Sequence, residues 1–99
     1  MVVIYVSVKT NEAIVTKFED TLRLIVADAR NVSGCLKYEW FRRPDASNHF
    51  VIYGEFESEE DFAAYHQSPV VERIESELIP MLIEPPSFKH FRATLMEAN

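Results

Sequence analysis

This chain has no excess of positive charge. Ten Lys and Arg stand against 16 Asp and Glu, a net charge of −6, and the ten are scattered along the sequence. Nucleic acids and anionic membranes are held by basic patches, so both are disfavoured as partners. Cysteine is nearly absent. The single thiol, Cys35, permits no internal disulfide and no cysteine-based metal centre, and reads as a packed side chain. Glycine occurs only at Gly34 and Gly54, too few for a glycine-rich phosphate cradle. With no G-x-S-x-G, G-x-G-x-x-G or P-loop pattern, nucleotide and flavin binding are disfavoured too. The three histidines, His49, His66 and His90, lack the spacing of metal ligands, so no metal and no other cofactor is expected. No apolar run approaches the ~20 residues of a membrane span. Met1 leads straight into a strand pattern rather than a leader pattern, which predicts a cytoplasmic protein.

What is present is an ordinary globular composition, 47% hydrophobic and 26% charged. A chain of 99 residues predicts one domain over residues 1–99, burying a modest fraction of its surface when it folds alone. The centre of the chain organises the rest. Two aromatic, β-branched runs, 35–41 and 49–56, bracket the turn-rich Pro44-Asp45-Ala46-Ser47-Asn48 and predict an antiparallel hairpin. Ahead of it, residues 2–8 read as a strand. Thr10-Asn11 cap a helix with the stripe Ile14, Phe18, Leu22, Ile25 and Ala29. Behind it, Ser58-x-x-Asp61 is a capping-box variant that starts a short helix carrying Phe62 and either Tyr65 or His66 inward. Ser68-Pro69 begins a further helical segment that Pro80 ends or kinks, and residues 88–95 read as a last strand.

The order β, α, β, β, α, β predicts an α+β, ferredoxin-like βαββαβ fold with a four-stranded antiparallel sheet. Helices can cover only one face of that sheet. On the strand alternation the other face offers Val3, Tyr5, Phe41, Val51, Tyr53 and one side of the last strand, to which Phe88, His90 and Arg92 are assigned. Such a surface predicts a homodimer with the two sheets face to face and an Arg92–Glu55 pairing near the contact.

Gly34-Cys35-Leu36-Lys37-Tyr38, the run from Phe50 to Glu60, and Tyr65-His66-Gln67-Ser68-Pro69 resemble the antibiotic biosynthesis monooxygenase domain family, and the similarity extends from Val2 to about Met96. The resemblance implies a dimeric α+β barrel with a cavity between sheet and helices in each subunit. It also implies cofactor-free oxidation of aromatic polyketides or quinols; one related branch isomerises a phosphorylated sugar and another degrades haem. Against the family's pattern, a strand carboxylate two residues before an aromatic is replaced by Gly54 ahead of Glu55 and Phe56. The family's helix-two histidine aligns with Tyr65, one before His66, and a further histidine with Val70. The haem branch needs Asn and Trp where this chain has Ile4 and Phe56.

The candidate catalytic residues are His66 and Tyr65. His66 follows Phe62 by four residues, so it either faces inward as a base toward a phenol or enol, or ends the helix bonded to a backbone carbonyl. Tyr65 is either a donor to a substrate oxygen or a core aromatic. Tyr38 and Trp40 alternate onto the helix-facing side of their strand with Leu36, and with Phe56 and Phe62 they form either cavity walls for a small aromatic or enol substrate or plain core. The expected reaction is cofactor-independent monooxygenation with O2 as co-substrate. The alternative is a non-oxidative isomerase, or an inactive ligand-binding dimer whose cavity is filled by its own side chains.

Overall fold

Alternation drives the first element, β1 (Val2–Lys9): Val2, Ile4, Val6 and Val8 are buried while the residues between them are not. The structure, a computed structural model, describes residues 1–97. The Ala13 amide donates to the Asn11 side chain at 2.8 Å, capping a 3-10 turn, Glu12–Ile14, that runs into α1 (Val15–Ala29). Phe18, Leu22, Ile25 and Ala29 of the expected stripe are buried, joined by Val26, while Ile14 stays in the preceding turn. Thr10 has another task. Its buried hydroxyl donates to the Met81 carbonyl at 2.6 Å, which ties the end of β1 to a distant part of the chain.

Gly34, at φ +79°, turns the chain into β2 (Cys35–Arg42), which pairs with β3 (His49–Phe56). α2 (Glu59–His66) follows. The Asp61 amide donates to the Ser58 hydroxyl oxygen at 3.1 Å, and that hydroxyl donates to the Asp61 carboxylate at 2.8 Å. The predicted cap is present, with the shorter Asp reaching the serine hydroxyl. α3 (Pro69–Arg73) begins on a proline, but the Ser68 side chain makes no capping bond and its buried oxygen has no hydrogen-bond partner among the described residues. The helix continues as a π turn, Ile74–Leu78, and a 3-10 turn, Ile79–Met81, that holds Pro80. β4 (Ser87–Arg92) closes the sheet, ending three residues short of the expected strand end at Leu95.

The sheet is antiparallel in the order β2-β3-β1-β4, the ferredoxin-like βαββαβ arrangement, with its helices on one face. Phe18, Phe50, Phe56 and Leu22 are completely buried between the layers. Each contributes about 1.5–3 kcal/mol relative to an exposed side chain.

Two face assignments are corrected by the register. β2 carries a bulge between Cys35 and Lys37, and the extra residue, Leu36, turns outward to 55% exposure instead of joining Tyr38 and Trp40. In β4, His90 lies opposite Ile4 and Phe88 opposite Val6. Directly opposed residues share a face, so Phe88, His90 and Arg92 belong to the helix side and not to the open one. Arg92 accordingly pairs with Glu59 at 2.9 Å, not with Glu55. Glu55 accepts instead from the Tyr53 hydroxyl at 2.5 Å on the open face.

Candidate active site

A cavity of about 130 Å³ lies between the sheet and the segment from α2 to the 3-10 turn. Its inner wall is apolar: Ile4, Val6 and Ile52 rise from the sheet, and Ile74 and Leu78 come from the π turn. A π turn widens the helix by one residue and is a recurrent feature of functional sites. Here it contributes Ile74, Glu75 and Leu78 to the lining. The exposed lining residues, His66, Glu75, Phe88 and His90, mark the mouth.

Two phenols meet in the depth of the site. The Tyr38 and Tyr65 hydroxyl oxygens are 2.6 Å apart and buried. Burial pushes Tyr38 far above the usual phenol value, with the neighbouring Tyr65 adding to the rise. Tyr65 is pushed up to about 12, again by burial first, with the Tyr38 hydrogen bond opposing the rise. Both phenols are therefore neutral donors at physiological pH. Gly54 explains how Tyr38 fits. It pairs with Tyr38 across one ladder and with Ile4 across the other. A Cβ there would stand 3.0 Å from Ile4 and 3.2 Å from the Tyr38 ring, so the missing side chain is space the ring uses.

At the mouth, Phe62 holds an aromatic cluster together. Its ring is 4.6 Å from His66 and 5.0 Å from His90, edge-on to both. Partial desolvation, and then repulsion from the neighbouring His66 ring, hold the His90 imidazole below the usual histidine value.

Of the residues singled out in the sequence, Tyr38, Phe62, Tyr65 and His66 are brought together around this cavity. Tyr65 is the buried one of the α2 pair, and His66 stands at the rim. Phe56 does not line the cavity. It lies behind, fully buried, 4.7 Å from the Tyr65 ring and 5.8 Å from Phe62. Trp40 does not line it either: it packs 5.9 Å from Phe50 and beneath the Arg23 guanidinium. His90, Phe88 and Glu75 were not among the candidates. The alternation of β4 had paired Phe88 with His90, but the side they take follows from the Ile4–His90 register, which the strand alone does not carry. Among the described residues, no three His, Cys, Asp or Glu side chains converge as metal ligands, and no helix is long and apolar enough to cross a membrane.

The sequence profile described as antibiotic biosynthesis monooxygenase matches residues 1–77. The chain belongs to the antibiotic biosynthesis monooxygenase family. Solved structures agree on the fold. A Deinococcus radiodurans protein provisionally named an antibiotic biosynthesis monooxygenase superposes with a TM-score of 0.90 at 16% identity, covering 100% of this chain and 98% of its own. A Nitrosomonas europaea protein, also provisionally so named, gives 0.88 at 16% identity over 96% of this chain and 100% of its own. A Mycobacterium tuberculosis protein gives 0.86 at 17% identity over 99% and 98%. No curated protein matches the sequence. The profile match takes in Tyr38, Phe62, Tyr65 and His66 of the monooxygenase-family chain and ends before β4, so Phe88 and His90 lie beyond it.

Proposed function

We propose that this chain is a cofactor-independent monooxygenase that oxidises a small phenol, quinol or enol with dioxygen as co-substrate. One observation carries the reading: an open apolar cavity that has neutral hydroxyls in its depth and an imidazole, His66, at its mouth. His66 is the base and Tyr65 the donor that orients a substrate oxygen. When Tyr38 donates to Tyr65, the Tyr65 hydrogen is left to point at a ligand. Tyr38 and Phe62 are walls.

The chemistry needs little more from the protein. The base breaks the substrate O–H bond and keeps the proton, and the anion passes one electron to dioxygen. The carbon radical and superoxide then combine to a peroxide anion, which takes that proton back from the base. The base next removes the remaining proton on that carbon, the O–O bond breaks to leave a carbonyl and hydroxide, and the hydroxide takes the proton from the base to leave as water. A dry site strengthens both the deprotonation and the oriented hydrogen bonds.

Volume narrows the substrate. A dry protein cavity of about 150 Å³ accepts benzene, so the interior of about 130 Å³ houses one ring, and further rings of a larger substrate would extend through the mouth. Oxygen uptake with single-ring hydroquinones and monocyclic enols, beside hydroxylated anthrones, tests this. Uptake is expected with the single-ring compounds and is expected to fall about 10²–10⁴-fold in His66→Ala, the usual contribution of a positioned base, and less in Tyr65→Phe. Unchanged rates in both variants would remove the site assignment. Consumption of substrate without oxygen would replace oxidation by isomerisation on the same base.

We further infer that two copies join through the open face of the sheet as a homodimer. Phe41 and Phe91 are about half exposed there, at 51% and 50%, and Tyr5 is 39% exposed. Apolar surface of this kind on a sheet marks a contact rather than a solvated face.

A further inference from the structure

The imidazoles at the cavity mouth come from different elements, His66 from the last turn of α2 and His90 from the middle of β4. Their ring centroids are 5.9 Å apart and the rings are inclined at 67°. Both stand edge-on to the one Phe62 ring, which packs against each of them. Around them are Phe88 and Tyr65. The charged side chains of this flank, Arg92 and Glu59, are spent on each other at 2.9 Å, and Glu75 also lines the cavity. At this separation one oxygen atom can reach a nitrogen of each ring at roughly 2.7–3.2 Å.

We infer that His66 and His90 act together as a two-imidazole clamp for the ionising hydroxyl of a single-ring phenol or enol. A neutral imidazole has one bare nitrogen and one N–H. The bare nitrogen of one ring takes the proton as the substrate O–H bond breaks, the electron pair stays on oxygen, and the N–H of the other ring donates to that oxyanion. His90 resists protonation more than an ordinary histidine because of partial desolvation and the nearby His66, so at neutral pH it is in the neutral form this division of labour requires. The clamp rests on the substrate class proposed above but not on its oxidation, so binding and oxygen chemistry are separable.

4-Nitrophenol is a suitable probe: it has one ring and an acidic hydroxyl, and its anion absorbs visibly. Below the ionisation midpoint of the free phenol, probe bound to the wild-type protein is expected to be about tenfold more ionised than free probe, the size of shift an adjacent positive charge produces. The shift is expected to disappear in His66→Ala and in His90→Phe, which keeps a ring against Phe62 but has no nitrogen, and to survive in Arg92→Ala. Independently of any variant, ¹⁵N spectra of the wild-type imidazoles should show His66 and His90 moving together on addition of the probe while His49 stays put. Retention of the shift in His90→Phe, its loss in Arg92→Ala, movement of His66 alone, or no binding by the wild-type protein would each overturn the clamp. Oxygen uptake plays no part in these readouts. A clamp that binds without oxidation leaves the inference standing and removes the monooxygenase reading.

Discussion

Two phenolic oxygens at 2.6 Å inside an apolar wall form a pair in which each satisfies the other. Removing one hydroxyl strands its partner without a hydrogen bond, at a cost of about 1–3 kcal/mol, whereas removing both leaves no orphan. Tyr38→Phe and Tyr65→Phe are therefore each expected to be destabilising, and the double variant more stable than the sum of the two losses, by urea unfolding in a double-mutant cycle. Additive losses would mean that the hydroxyls do not depend on each other. The same pair sets an alkaline limit. Both folded-state values lie above the unfolded value of about 10, Tyr65 at about 12 and Tyr38 higher still. Folding holds these protons more tightly, so the stabilisation is complete below pH ~10 and is lost as pH rises through the folded values. Alkaline unfolding followed by circular dichroism should therefore have its midpoint at higher pH in the double Phe variant, which lacks this pH-dependent loss, than in the wild-type protein; equal pH dependence in the two would contradict it.

At the scale of elements, the glycines divide the work. Gly34 has φ +79°, and a Cβ there would fall 2.2 Å from the Asp61 carboxyl carbon, in the side chain that completes the α2 cap. Gly34→Ala is thus expected to strain the turn and disturb the cap together, costing about 1–3 kcal/mol by thermal or chemical denaturation; a neutral substitution would contradict the geometry. The α1 stripe and the Ser58–Asp61 cap were legible in the sequence because both are local, set by residues three and four apart. So was the burial of Phe50, Ile52 and Phe56 on one side of β3. Illegible were the things decided between elements. The β2 bulge reversed Leu36, and the β1–β4 register carried Phe88 and His90 to the helix side. Trp40 and Phe56, correctly read as facing the helices, are separated from the cavity by which helix lies above them: Phe56 by α2 through Phe62 and Tyr65, Trp40 by its contact with α1 through Arg23. The Gly54 position was read as a missing carboxylate, yet the register shows that it is room for the Tyr38 ring.

For the whole molecule, the open face is the surface on which the proposed dimer rests. Across the strands it runs as ladders of mixed character. One rung holds Lys37, Glu55, Val3 and Phe91, and the next holds Glu39, Tyr53, Tyr5 and Lys89. A two-fold dimer uses the same patch on both copies, and this face offers that patch aromatic side chains together with charges of both signs. Sedimentation equilibrium should give twice the 11.5 kDa chain mass for the wild-type protein at micromolar concentration, and Phe41→Glu should shift it toward the single-chain mass. A wild-type monomer would sink the proposed dimer while leaving the cavity intact, since the cavity lies on the opposite side of the sheet.

Thr10 gives the molecule a further property. Its bond to the Met81 carbonyl, with the Ile83 amide donating to Lys9 at 2.9 Å, stitches down the far end of the segment that roofs the cavity. The exposed lining residues, His66 and His90 among them, stand at the other side of the cavity. On the proposed clamp, a product that retains an acidic hydroxyl would compete with the next substrate for the same two imidazoles.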